Sequence, residues 1–111
     1  AVSAVDGSIY GLPDAASSVL KIDPVAGTTV QLGSVDNGGM KWRYGARSVG
    51  GKIFALPYMA IGILEVDPAS GSVVSFGDLG NGLGKWANGV VSTSGAIYGI
   101  PDAAGFVLKF D

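Results

Sequence analysis

The chain has 111 residues, 48% of them apolar and only 14% charged, with a net charge of −2 and neither cysteine nor histidine. Those absences exclude thiol nucleophiles, disulfides, imidazole bases and nearly all zinc or copper sites, so no metal, cofactor or catalytic residue is expected. With no Lys/Arg cluster, no basic amphipathic helix and no long apolar run, neither nucleic acid nor a membrane is expected as a partner.

Glycine is the compositional outlier, at 19 residues, and no helical stripe of apolar residues extends beyond two turns. Short strands joined by tight turns are therefore expected. The first residue is Ala1 rather than Met, so a processed or a trimmed chain is expected, with any targeting segment outside it. In chain order, residues 19–22 (VLKI) form a strand that stops at Asp23-Pro24, and Ala26-Gly27 completes a hairpin turn. Residues 28–32 (TTVQL) form the next strand, ended by Gly33. A Gly/Asn-rich loop over 34–39 leads to Lys41-Trp42. Further on, a short apolar strand near 90–92 precedes a tight turn at Ser94-Gly95. Residues 96–100 (AIYGI) then form a strand ended by Pro101.

These elements recur. Sliding the chain against itself by 44 aligns Gly7, Gly51 and Gly95, then Tyr10, Phe54 and Tyr98, then Pro13, Pro57 and Pro101. Asp23, Asp67 and Asp111 also fall together, as do Lys41-Trp42 and Lys85-Trp86. Residues 1–44 and 45–88 are identical at 16 of 44 positions without a gap, far above chance. Four short strands per unit of this length is the pattern of a β-propeller blade. A β-helix would need shorter coils without hairpins, and a β-sandwich would need no strict repeat. The expected fold is all-β: one propeller segment over 1–111, with repeats at 1–44 and 45–88 and a partial repeat at 89–111.

About two and a half four-stranded blades cannot close a ring, since propellers use four to eight. Their end faces would stay apolar and unpaired, so the chain is expected to complete the ring with copies of itself, as a dimer or trimer. Residues 1–23 match 89–111 at 13 of 23 positions but 45–67 at only 8, so alternate blades are the more alike.

The strand and turn order resembles NHL-type and Kelch-like propellers. It is closer still to a group of propeller repeats whose units read roughly Lys-Trp, one or two glycines, an Asn-Gly or Ser-Gly turn, Ile-Tyr-Gly-Ile-Pro and a Val-Leu-x-Ile-Asp-Pro run. Here those words are Lys85-Trp86, Gly89, Ser94-Gly95, residues 97–101 and residues 19–24. The resemblance covers the whole chain and implies the fold, not an activity. The short format also resembles oligomeric propeller lectins, without the aromatic-rich sugar-site wording of tachylectin-like repeats.

In an antiparallel blade the second-to-third strand loops (14–17, 58–61, 102–105) share one face with the blade-to-blade segments (34–44, 77–88). Binding residues sit on loops of rigid scaffolds. The candidate ligand-binding residues are therefore Trp42, Arg43, Tyr44, Arg47, Tyr58, Trp86 and Asn88. The tryptophans could stack on a sugar or base face, or pack between blades with Lys41 and Lys85 left solvated. Arg43, Tyr44 and Arg47 depart from the repeat, which has Ala87, Asn88 and Val91 in their places. Arg47 could bind an anion in the central channel or pair with Glu65 or an aspartate. Asp23, Asp67 and Asp111 suit turn-capping better than metal ligation, and Asp14 and Asp102 suit it too. Asp6, Asp36, Glu65 and Asp78 share no repeat position that would pair them for hydrolysis. The stretch Gly80-Asn81-Gly82 lacks the ending and the helix of a phosphate loop, and reads as linker.

The function these features imply is a non-catalytic, self-assembling binding module for a glycan or small polar ligand. A structural or protein-interaction scaffold and a fragment of a larger propeller enzyme are the alternatives.

Overall fold

Strands form where β-branched and aromatic runs stand between turn residues, and all the regular elements among the described residues are strands. The computed structural model describes residues 1–35, 39–80, 82 and 84–110, with the backbone alone at Ala87. Asp36, Asn81 and Asp111 lie outside the described residues.

Eleven strands are described: β1 (Val2–Ser3), β2 (Ile9–Gly11), β3 (Val19–Asp23), β4 (Thr28–Leu32), β5 (Trp42–Arg47), β6 (Ile53–Pro57), β7 (Ile63–Asp67), β8 (Ser72–Phe76), β9 (Trp86–Val91), β10 (Ile97–Pro101) and β11 (Leu108–Phe110). They make three antiparallel meanders, β1-β2-β3-β4, β5-β6-β7-β8 and β9-β10-β11. The hairpins close as their residues dictate. Asp23 accepts the backbone N–H groups of Val25 and Ala26 on its carboxylate, and Asp67 accepts that of Ala69. Gly27 and Gly71 follow with φ of 70° and 75°, a conformation other residues adopt only with strain. The aspartates of these turns are caps, as their placement before proline implies.

Successive side chains of a strand point to opposite faces. In the second sheet Ile53, Leu64 and Val66 face the first sheet, where they bury Tyr10 and Val19. Phe54, Leu56 and Ile63 face the third sheet, where they bury Trp86, Ile97 and Leu108. All five residues of β6 are buried, because this sheet is covered on both faces. The first strands approach one another, β1 beside β5 and β5 beside β9, so the sheets fan out from a common inner edge. The result is a flat body of 43 × 34 × 18 Å.

The first strands start earlier than the sequence suggests. β9 begins at Trp86 rather than near residue 90, and β5 begins at Trp42. Pairing runs up to the prolines, Trp42 opposite Pro57 and Trp86 opposite Pro101. A bulge makes the extension possible: one extra residue, Arg43 in β5 and Ala87 in β9, has no partner in the register. The glycines before the Lys-Trp pair hide this extension, since they read as loop.

Candidate functional site

The Lys-Trp pair is the strongest repeated word in the sequence, and it sits where one sheet hands the chain to the next. The Lys41 N–H donates to the Asp14 carbonyl at 3.0 Å and the Lys85 N–H to the Tyr58 carbonyl at 2.9 Å, each in the loop of the preceding sheet. Their own carbonyls accept the N–H groups of Tyr58 and Asp102 in the following loop, both at 2.9 Å. The ammonium groups also reach back. Lys41 Nζ donates to the Ala16 carbonyl at 3.0 Å, and Lys85 Nζ donates to those of Ala60 at 2.7 Å and Gly82 at 2.9 Å. The expectation of solvated lysines is thus corrected: Lys41 and Lys85 are only 6% and 5% exposed. Burial holds the Lys85 ammonium below its ordinary pKa. Each lysine is a staple between adjacent sheets.

The tryptophans are buried beside them, Trp42 at 6% exposure and Trp86 at 1%. Their ring N–H groups donate to the Gly62 and Phe106 carbonyls at 2.9 and 3.1 Å. Phe106 stands edge-on to Trp86, ring centroids 5.4 Å apart.

The remaining predicted residues are scattered. Arg43, pushed out by its bulge, has its Nε 3.5 Å from Asp14 Oδ2 and its guanidinium 5.0 Å from the Tyr58 ring centroid. It bridges the loops of the first two sheets. The other oxygen, Asp14 Oδ1, is buried without a hydrogen bond. Tyr44 is exposed on β5, and the exposed Asn88 accepts the Gly89 N–H on its own side chain at 2.8 Å. Arg47 donates to the Ser3 carbonyl at 3.0 Å, and Glu65 has Lys52 at 3.8 Å instead. The acids stay apart, and among the described residues no cluster could hold a metal ion. The Asp6 carboxylate caps its own turn by accepting the Ser8 N–H, which holds it below the ordinary carboxylate pKa.

Two concavities matter. A groove of ≈ 730 Å³ opens at the loop end of the second sheet, lined by Lys41, Trp42, Met59, Ile61, Gly62 and Phe76 among others. Of the predicted site residues only Trp42 reaches it. Sequence reasoning passed over Met59 and Ile61, although the signal was present: the other repeats have Ala15 and Ala103, then Ser17 and Gly105, at those positions. A smaller cavity of ≈ 270 Å³ lies at the opposite face between the turns of the first two sheets, lined by Ala4, Asp6, Gly51 and Asp67 among others.

No family model and no curated protein sequence matches the chain. Among solved structures it is similar to virginiamycin B lyase from Staphylococcus aureus, with a TM-score of 0.70 over 97% of this chain at 12% identity. The fold is β-propeller-like. The chain spans 39% of that protein's length. In a propeller-like frame β1, β5 and β9 are the innermost strands. Arg47 then lies on the inner edge and the ≈ 730 Å³ groove at the loop face, towards the rim.

Proposed function

We propose that the chain is a non-catalytic binding module, a propeller segment of about two and a half blades that further copies complete to a ring. The groove beside Trp42 takes a glycan residue or a small polar molecule. The groove itself carries this reading. Its volume of ≈ 730 Å³ lies in the range of small-molecule sites. Met59, Ile61 and Phe76 supply apolar walls, and the exposed Ser75 and backbone groups supply polar ones, the mixture that recognises a molecule with one apolar and one hydroxylated face. Arg43 over Tyr58, held by Asp14, is a second polar and aromatic cluster on the same face.

The test is a glycan array followed by calorimetry, with Ile61→Trp as the groove-filling variant. Ile61 is half exposed, so the larger ring can enter the groove without breaking the core. Binding to the parent chain and its loss in Ile61→Trp are expected. No binding by either removes the ligand reading and leaves a scaffold.

The lyase name of the structural neighbour, together with the 39% coverage, favours a second reading: a fragment of a larger propeller enzyme. A native gene encoding these 111 residues alone would count against it.

A further inference from the structure

The two internal junctions follow one plan. Tyr10 and Phe54 hold the same repeat position, and the next sheet buries both. Leu12 Cδ1 stands 2.8 Å from where a Cβ on Gly45 would lie, and Leu56 Cδ1 stands 2.5 Å from that position on Gly89. Each leucine thus fills a hole that only glycine leaves. Phe54 also meets Phe110 edge-on, ring centroids 5.3 Å apart.

One more step of 44 carries Phe54, Leu56 and Ile63 onto Tyr98, Ile100 and Val107. These side chains lie on the face of the third sheet that points away from the second, because Ile97, Leu108 and Phe110 face inward. Ile100 and Val107 are 46% and 55% exposed, and Lys109 Nζ lies 5.9 Å from the Tyr98 ring centroid. One step back carries Ile53, Leu64 and Val66 onto Ile9, Leu20 and Ile22. These share the outward face of the first sheet, since Tyr10 and Val19 face inward. Both halves of a third junction are therefore present on one chain, on opposite sides. The third junction departs from the plan at one point, since Ala1 carries a Cβ where Gly45 and Gly89 leave a hole.

We propose that the outer face of the third sheet, centred on Tyr98, Ile100 and Val107, docks on the outer face of the first sheet of a second copy, centred on Ile9, Leu20 and Ile22. The proposal rests on the self-assembly part of the function proposed above and names its interface. The contact joins two different patches, so it is head-to-tail, and repetition of one rotation closes a ring. Apolar faces of this kind, already matched by the internal junctions, are the surfaces that drive association.

The test uses the absence of native cysteine. A chain carrying Tyr98→Cys is mixed with one carrying Ile22→Cys, the pair that repeats the Phe54–Phe110 contact, and a short bis-maleimide is added. The expected result is a covalent heterodimer in the mixture and none from either chain alone. Native mass spectrometry of the unmodified chain should show one discrete oligomer. Val107→Asp, at an exposed position, should convert it to monomer with an unchanged circular dichroism spectrum. A cross-link of the Tyr98→Cys chain to itself would mean a symmetric contact and overturn the proposal. A discrete oligomer without the mixed cross-link would overturn it while leaving self-assembly standing. A folded monomer would remove both, whatever the groove binds.

Discussion

The leucine-in-glycine contact between sheets yields a sharp test, Gly89→Ala. An ideal Cβ at Gly89 would lie 2.5 Å from Leu56 Cδ1 and 3.3 Å from the Tyr98 carbonyl oxygen. Carbon atoms prefer about 3.5–4.0 Å, so the Leu56 methyl would have to retreat by roughly 1 Å. Leu56 is fully buried, so the methyl has to move within the packed interior and not out into solvent. Overpacking of this kind costs about 1–3 kcal/mol. Stiffening of the unfolded chain returns about 0.4–1 kcal/mol. The net loss is near 1.5 kcal/mol, which at about 2.1 cal/mol/K per residue lowers the melting temperature of this chain by roughly 6 °C. Gly105→Ala is the control, since its Cβ meets nothing within 4 Å and its φ is not positive. It should melt at or slightly above the parent temperature. Both variants are melted by circular dichroism at one protein concentration, because association would otherwise shift the midpoints. Adding Leu56→Val to Gly89→Ala should cost less than the two single losses summed. If Gly89→Ala melts like Gly105→Ala, the sheets do not interlock in this way, and the docking interface inferred from these junctions falls with them.

Four further outcomes are expected. Lys85→Met keeps the stem but leaves the Ala60 and Gly82 carbonyls without a donor, and should lose about 1–3 kcal/mol in urea unfolding. With the folded-state pKa of Lys85 below 10.5, the unfolded chain binds more protons in the interval between the two values, so stability rises with pH there. The parent urea midpoint, compared at about pH 8 and 10, should therefore climb more than that of Lys85→Met. Trp86→Ala empties a site that is 1% exposed and frees the Phe106 carbonyl, and a loss of about 3–5 kcal/mol by the same assay is expected. Arg43→Ala removes an ion pair whose partners are both well exposed, so less than about 1 kcal/mol should be lost; a larger loss would show that the Tyr58 contact carries more than its geometry suggests.

Much of the architecture was legible in the repeat. Strand 19–22, the Asp23-to-Gly27 turn and strand 28–32 follow from apolar runs and turn chemistry that act within a few residues, and β3 and β4 lie there. The propeller-like character followed from counting such units along the chain. The site was less legible. Trp42, placed in a loop by its glycine-rich approach, opens a strand and lies buried at the groove wall. Met59 and Ile61 bear neither the charge nor the aromatic ring that marks a polar-ligand site in sequence, and only the packing of the loop against β8 makes them groove walls.

The period, most strand positions, the hairpin turns and the pairing of like positions follow from local residue patterns, because hydrogen-bonded hairpins and alternating side chains are short-range matters, whereas the early starts of β5 and β9 do not. The partners of the charged and aromatic groups came instead from the packing of one sheet on the next. Lys41 and Lys85 each donate to a carbonyl 25 residues back in the chain, and Trp42 and Trp86 each to one 20 residues ahead. Arg47 turned to Ser3, 44 residues away, rather than to Glu65. No local pattern encodes such partners. They are set by which carbonyls the packing of one sheet on the next leaves without a donor, and a buried carbonyl takes the nearest side chain long enough to reach it.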